Sequence, residues 1–349
     1  MLRIFLTEFK KLIKTNRLPL VILLAVFIRC VLCFLPQVHE HPYSDEVYKS
    51  CTTQLEGKLT AEKKEYLNSR LAEIDELIGA YDEMQQRYTA GEITLDEYSA
   101  YTERHGKAKA EESTVRYLCR KCEALDSCTD FDKQIFCDTA WSDFFGDNGF
   151  DYVMLIALLC IAIPAFEAEY SSGSFKQILT SKRGKAQLAL SKLAAVWVTI
   201  FVISCLMSAV RLGVFAYKNG LEYSGMPVGN IMLKDGFENT SLIGYYLKDS
   251  IIKALIRAMY SSVLCVAAML CKNVTFAFIA GFIICITPQL ILSKAESKTA
   301  SYFLNGLQLG TMYDASINIP LLLCVIMLKC ILLWLAAVYV WSRCQCDML

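Results

Sequence analysis

Residues 164–185, PAFEAEYSSGSFKQILTSKRGK, decide how the rest of the chain is read. They stand between two strongly apolar segments. The stretch opens acidic with Glu167 and Glu169, breaks over Ser171, Ser172, Gly173 and Ser174, and closes basic with Lys176, Lys182, Arg183 and Lys185. Phe175, Ile178 and Leu179 fall at i, i+3, i+4 spacing, which predicts a short helix over 175–181. Ser172 or Ser174 suits its N-cap, and Lys182 and Arg183 suit its C-terminus. An amphipathic connector between two membrane spans is a lever lying on the membrane surface, on which a soluble partner can push. The plainer alternative is an ordinary basic loop on the cytoplasmic side.

The pattern Phe166, Glu169, Tyr170, Gly173, Ser174, Lys176, Leu179, Ser181, Arg183 resembles the first cytoplasmic loop of ABC transporter permeases of the type-2 exporter class. The closing arginine falls one place early, so the far end of the match is looser. The resemblance implies that 164–187 is the coupling element that docks on an ATPase subunit. It assigns that contact to Glu167, Glu169, Tyr170, Gly173, Phe175, Lys176, Ile178 and Arg183.

Around this stretch the composition is that of a membrane protein. The chain has 349 residues, of which 55% are hydrophobic, and its mean hydropathy is +0.37, outside the range of an ordinary soluble domain. Net charge is zero, but residues 37–150 hold 24 acidic and 13 basic residues, so the rest of the chain carries the matching positive excess. The two parts are expected to face different compartments. Apolar spans are expected at about 18–36, 150–166, 188–211, 250–270, 274–292 and 320–341, six in all. Residues 1–17 form an amphipathic stripe of Leu2, Phe5, Phe9, Leu12 and Ile13 against Arg3, Lys10, Lys11, Lys14 and Arg17, which suits a helix on the inner leaflet. A signal peptide is the alternative, but Leu35-Pro36-Gln37 is a poor cleavage site. The Lys and Arg count places both termini and 164–187 in the cytoplasm and 37–149 outside. The expected organisation is an interfacial helix and first span (1–36), an extracellular helical domain (37–149), and spans two to six (150–349).

The extracellular domain reads as an antiparallel helical hairpin, roughly 60–89 and 94–125. Leu67, Leu71, Ile74, Ile78, Tyr81 and Tyr88 follow a 4-3-4-3 rhythm. Thr60 suits an N-cap, and Thr94 with Glu97 forms a capping box. The hairpin is either a contact site for substrate or partner, or a spacer. Of sixteen cysteines, Cys51, Cys119, Cys122, Cys128 and Cys137 lie in this domain, and the hairpin brings residue 51 near 119–137. Structural disulfides, reduced thiols and a zinc site are the alternatives, the last disfavoured by irregular spacing. Cys119-x-x-Cys122 also admits a thiol–disulfide enzyme.

Basic residues inside spans include Arg29 and Lys329 near the middle of theirs, which makes these two candidates for a translocation path. Arg211, Lys253 and Arg257 lie nearer the ends, and no acidic residue lies in a span core to pair with these cations; snorkelling is the plainer reading, easy for Lys253 and Arg211 and harder for Lys329. The chain has no G-x-x-x-x-G-K-S/T phosphate loop, so ATP and its magnesium belong to another subunit. His39, His41 and His105 form no span-embedded metal site, and no catalytic triad is recognisable.

The expectation is an all-α polytopic membrane protein with six transmembrane helices and an extracellular helical hairpin between spans one and two. The resemblance covers the topology of the whole chain. It implies the permease subunit of a bacterial cell-membrane exporter, of the subgroup with an enlarged first outer loop. Its partners would be an ATPase subunit, a second permease chain and the bilayer, with no nucleic acid. Its cargo would be a peptide, antibiotic, lipid or other amphipathic compound. A thiol enzyme and a non-transporting surface receptor are the alternatives.

Overall fold

Apolar helices are arranged so that one face packs and the other stays bare. The computed structural model describes residues 2–15, 18–35, 41–146, 149–171, 184–237, 239–271, 273–292, 307 and 317–343. These divide into two compact units, Met1–Pro36 with Gly146–Gly220 and Tyr246–Leu349, and Gln37–Phe145 with Leu221–Tyr245.

The first unit is built of helices. It contains α1 (Leu2–Thr15), α2 (Leu18–Phe34), α8 (Tyr152–Ser171), α9 (Gly184–Asn219), most of α11 (Leu242–Cys271), α12 (Val274–Leu292) and α13 (Ile319–Arg343). Helix α9 packs on α1, α2, α8 and α13, and α8 packs on α2 and α12. The core holds Leu158, Phe166, Leu193, Leu264 and Trp341, with the Phe166 and Trp341 rings edge to face at 5.5 Å. Gly281 lets α12 come close: a Cβ there would stand 2.8 Å from Leu159 and 2.9 Å from Leu264. The outward faces stay apolar, with Leu23, Phe27, Phe276, Phe282, Leu332 and Leu335 exposed. Exposed apolar area on this scale marks a surface made for lipid or a partner rather than water.

Among the described residues, three helices are long and apolar enough to cross a bilayer: α9 over Ala186–Asn219, α11, and α13 over Ile319–Trp341. Helices α1 and α2 add a fourth if taken as one broken span. The expectation of six is met only in part. The apolar runs of α8 and α12, Tyr152–Phe166 and Val274–Pro288, fall short of the ~20 residues a crossing helix needs. Helix α8 nevertheless continues through Pro164 to Ser171, although Pro164 has no N–H to give to the preceding turn.

The second unit is built on a helical hairpin. Its helices are α3 (Asp45–Gln54), α4 (Ala61–Gly79), α5 (Tyr81–Thr89), α6 (Leu95–Ser127), α7 (Thr139–Gly146) and α10 (Gly229–Met232). The arm expected as one helix over 60–89 is two, α4 and α5, joined at Ala80. Leu67 and Ile74 are buried against Ala108, Val115 and Leu118, while Tyr81 stacks on His105 at 4.3 Å and Tyr88 on Tyr98 at 4.5 Å. Arg70 reaches Glu111 at 2.8 Å, and Arg116 reaches Asp75 at 2.7 Å, so charge pairs flank the apolar seam. Thr60 caps α4, and Thr94 and Glu97 cap α6 reciprocally. Gly91, at φ +76°, makes the reversal between the arms, a conformation glycine adopts without steric cost.

At the base a two-stranded antiparallel ladder joins β1 (Gly57–Lys58) to β2 (Gln134–Ile135). Leu221–Tyr245 completes the base. Asn230 accepts from Gln134 N at 2.9 Å and donates to Asp132 O at 3.1 Å. Asp235 accepts from Thr129 N at 2.7 Å, and Trp141 donates its indole N–H to Glu222 O at 2.8 Å. The Phe131 ring lies so close to Gly229 that a Cβ there would stand 2.3 Å from it.

Candidate functional site

The coupling stretch falls mostly outside the described residues: Gly173, Phe175, Lys176, Ile178 and Arg183 are not among them. Glu167, Glu169 and Tyr170 lie on the last turns of α8. The helix ends that flank the stretch are held by Lys192 near the start of α9. Lys192 is buried, donates to Ala165 O on α8 at 3.1 Å, reaches Glu8 on α1 at 3.7 Å, and stands 5.5 Å from the Phe166 ring centre. One ammonium therefore ties three helices. In the sequence, the one sign of this contact is the acidic Glu8 among the cations of α1.

At the opposite ends of these helices the structure gathers six charged side chains. Arg29 is near the end of α2, Asp151 immediately precedes α8, Arg211 is in the last turns of α9, and Asp249, Lys253 and Arg257 lie along the first half of α11. Asp151 organises the group. Its Oδ1 accepts from Met154 N at 3.0 Å, which caps α8. Its Oδ2 accepts from the Arg29 guanidinium and, at 3.1 Å, from Arg257. Its own N–H donates to Leu307 O at 2.6 Å. Lys253 pairs with Asp249 one helical turn away at 2.6 Å. Tyr246 OH donates to Ser208 O at 2.9 Å and so joins α11 to α9. Arg29, Asp151, Asp249, Lys253 and Arg257 are all buried.

This corrects two expectations. Acidic partners do exist, supplied by residues at helix starts rather than in span cores. Lys253 does not snorkel, because Asp249 holds it inside, and Arg257 is held inside by Asp151 in the same way. Arg29 sits in this cluster, whereas Lys329, half-buried on α13, does not line it. The two candidate path residues are thus not brought together.

No family model matches this chain, and no curated protein or solved structure matches it.

The five cysteines of the second unit are thiols in the structure, with no disulfide among them. Cys51, Cys119 and Cys122 share the hairpin's apolar cluster, and Cys128 packs with Leu125 and Phe131. Burial, with the Cys119 thiol beside it, pushes Cys122 up to about 11; burial also raises Cys51, Cys119 and Cys128. A redox pair needs a thiolate near neutral pH, and this environment opposes one. Among the described residues, no group of three His, Cys, Asp or Glu is placed to hold a metal ion.

The second unit has a buried ionic group of its own, which sequence reading missed. Lys121 on α6 donates to Asp138 at 2.7 Å and to Tyr48 OH at 3.1 Å, and Tyr48 OH donates to Asp138 at 2.6 Å. Tyr43 stacks on Tyr48 at 4.2 Å, and burial and the Asp138 carboxylate push the Tyr48 hydroxyl far above its ordinary range. The group closes on itself: each charge has its partner, and the tyrosine stays neutral.

Proposed function

We propose that this chain is the membrane-spanning permease subunit of an ATP-binding cassette transporter of the type-2 exporter class. It works with a separate ATPase subunit and a second permease chain in a bacterial cell membrane. Its cargo is an amphipathic compound such as a peptide, antibiotic or lipid. The observation that carries this reading is the pattern from Phe166 to Arg183, set between two apolar helices.

Three features support it. Helix α1 is strongly amphipathic, with its basic residues on one side, as an inner-leaflet helix must be. Gln37–Phe145 and Leu221–Tyr245 share one folded unit, so both lie on one side of a bilayer. The chain between them, α8 and α9, therefore crosses an even number of times. With α9 long enough to span, α8 suits the second crossing; the proposed six spans, with both termini on the basic, cytoplasmic side, count the shorter α8 and α12 as crossings as well. Finally, a push on 167–185 is delivered to α8 and α9 together, because Lys192 bonds α9 to α8 just before the coupling stretch begins.

Truncating Phe175 to Ala removes an apolar anchor and should weaken association with the ATPase by ~1–3 kcal/mol, with membrane insertion unchanged. Gly173→Val should leave association intact but uncouple hydrolysis from transport, since the connector would be misdirected rather than shortened. Co-purification from native membranes, with identification of the bound chains, and cargo-stimulated hydrolysis read both effects. Normal association and stimulation in both variants would reduce 164–187 to a basic loop and remove the support for a permease.

A further inference from the structure

Helices α3 and α4 both pack on α6, and between them lies an open-mouthed pocket of about 530 Å³. That volume falls in the range of small-molecule sites. The pocket belongs wholly to the second unit. Its floor is apolar, formed by Leu67 of α4 and Val115 of α6, and the Tyr66 side chain stands half-exposed beside them. Among the described residues, its wall carries three carboxylates, Glu46, Glu73 and Glu111, against one cation, Arg70. Arg70 gives one N–H to Glu73 and another to Glu111, each at 2.8 Å, and each carboxylate takes the bond on its Oε2. One guanidinium therefore fixes two carboxylates without neutralising both. Glu46, in the first turn of α3, has no ion-pair partner among the described residues.

The lining thus combines an apolar floor, an aromatic side chain and an excess of negative charge. An anion would be repelled. A neutral apolar molecule would suit the floor but would strip water from the carboxylates and give nothing in return. An organic cation with an apolar body answers all three: its ammonium has only donors, which the carboxylates accept, and an aromatic ring attracts it further. We propose that this pocket is a binding site for a small amphipathic amine, its ammonium held by Glu46 and by the carboxylates that Arg70 fixes, its apolar body laid on Leu67 and Val115 beside Tyr66. The site depends on the hairpin unit alone and stands whether or not the chain couples to an ATPase.

The test uses the purified full-length protein in micelles of an uncharged maltoside, with tyramine as the probe. Radiolabelled tyramine is followed by equilibrium dialysis against protein-free micelles. Expected is saturable binding of one tyramine per chain. Tyrosol, which carries a hydroxyl in place of the ammonium, should compete roughly tenfold less well, and the matching carboxylate, hydroxyphenylpropionate, should not compete. Cys51 lines the pocket, so its alkylation by a maleimide, read by peptide mass mapping, should slow as tyramine binds, while Cys137, which does not line it, reacts at an unchanged rate. Ser50→Trp places an indole at the pocket wall and should abolish binding. Glu46→Gln should weaken it about fivefold, the effect of one exposed charge. Both positions are exposed on α3, so both variants should stay monodisperse, and either one carries the comparison alone. The proposal is overturned if the wild-type protein takes up no more tyramine than empty micelles do, or if tyrosol competes as well as tyramine. Wild-type affinity in either folded variant, or unchanged Cys51 labelling at saturating tyramine, would place the amine elsewhere and have the same consequence. Protection of Cys51 by a lysine-rich peptide but not by tyramine would assign the surface to a protein partner and overturn it too.

Discussion

Each unit of this molecule buries an ionic group, and the two are built to opposite rules. In the hairpin unit Lys121 faces Asp138, and Tyr48 fills the remaining hydrogen-bonding positions between them. One cation meets one anion in a closed triangle. In the membrane-suited unit a single oxygen of Asp151 receives both Arg29 and Arg257, and Asp249 and Lys253 pair beside them. A lysine can go neutral when its partner is lost, whereas an arginine cannot. The closed group is therefore tolerant scaffolding. The arginine group is a commitment that the fold must keep satisfied, and it draws on four helices.

The sharpest way to break this comparison is to remove each carboxylate. Asp151→Asn leaves two buried guanidiniums sharing a neutral amide and weakens the cap of α8. We expect a loss of about 3–5 kcal/mol, read as collapse of the monodisperse peak in fluorescence-detected gel filtration. Asp138→Asn should cost less, about 1–3 kcal/mol, because Lys121 can lose its charge and Tyr48 remains as a partner. Equal losses would dissolve the distinction. A double change, Lys121→Met with Asp138→Leu, sharpens it further. A buried pair exchanged for apolar side chains of similar volume should move the unfolding midpoint little, within about 1 kcal/mol. Arg29→Met with Asp151→Leu should remain strongly destabilising, because Arg257 is left behind.

Smaller effects test how the second unit is closed. Gly229→Ala would drive a methyl group into the Phe131 ring, which is enclosed by the base, at an expected cost of about 1–2 kcal/mol. Limited proteolysis should then cut within 221–245 sooner than in the hairpin; unchanged cutting would show that the ring yields freely. Thr94→Ala removes the cap of α6, and about 1 kcal/mol should go with it. That loss should be confined to the hairpin and leave the Asp151 cluster untouched.

What could be read in the sequence follows what repeats in it. The seam of Leu67, Leu71, Ile74 and Ile78, the caps at Thr60 and Thr94, and the amphipathic stripe of α1 are local patterns, and each corresponds to an element of the structure. The break at Ala80 is not legible, since nothing at that position forbids a continuous helix. The base of the second unit is less legible still. Its contacts run from Asn230 and Asp235 to backbone atoms of residues 129–134, and a side chain bonded to a distant backbone leaves no periodic trace. The sequence shows Arg29, Arg257 and Lys253 as charges out of place, but their partners, Asp151 and Asp249, are polar residues beside or within the first turns of helices, where acidic residues are unremarked. The spans expected at 150–166 and 274–292 correspond to helices α8 and α12, which run through Pro164 and Pro288, but their apolar runs stop short of a full crossing length.

The division of the second unit between two chain segments has a consequence in time. Roughly 75 residues lie between Phe145 and Leu221, and a ribosome adds them in about 4–15 s. Throughout that interval the first segment has emerged without Asn230 for the backbone of Asp132 and Gln134, and without Gly229 beneath the Phe131 ring. The hairpin can form at once, since its contacts are local, but its base stays open until the chain has passed through α8 and α9 and returned. Biogenesis therefore includes a half-built second unit with an uncovered aromatic ring, and a chain released before Tyr245 should be recognised as unfinished by quality-control proteases.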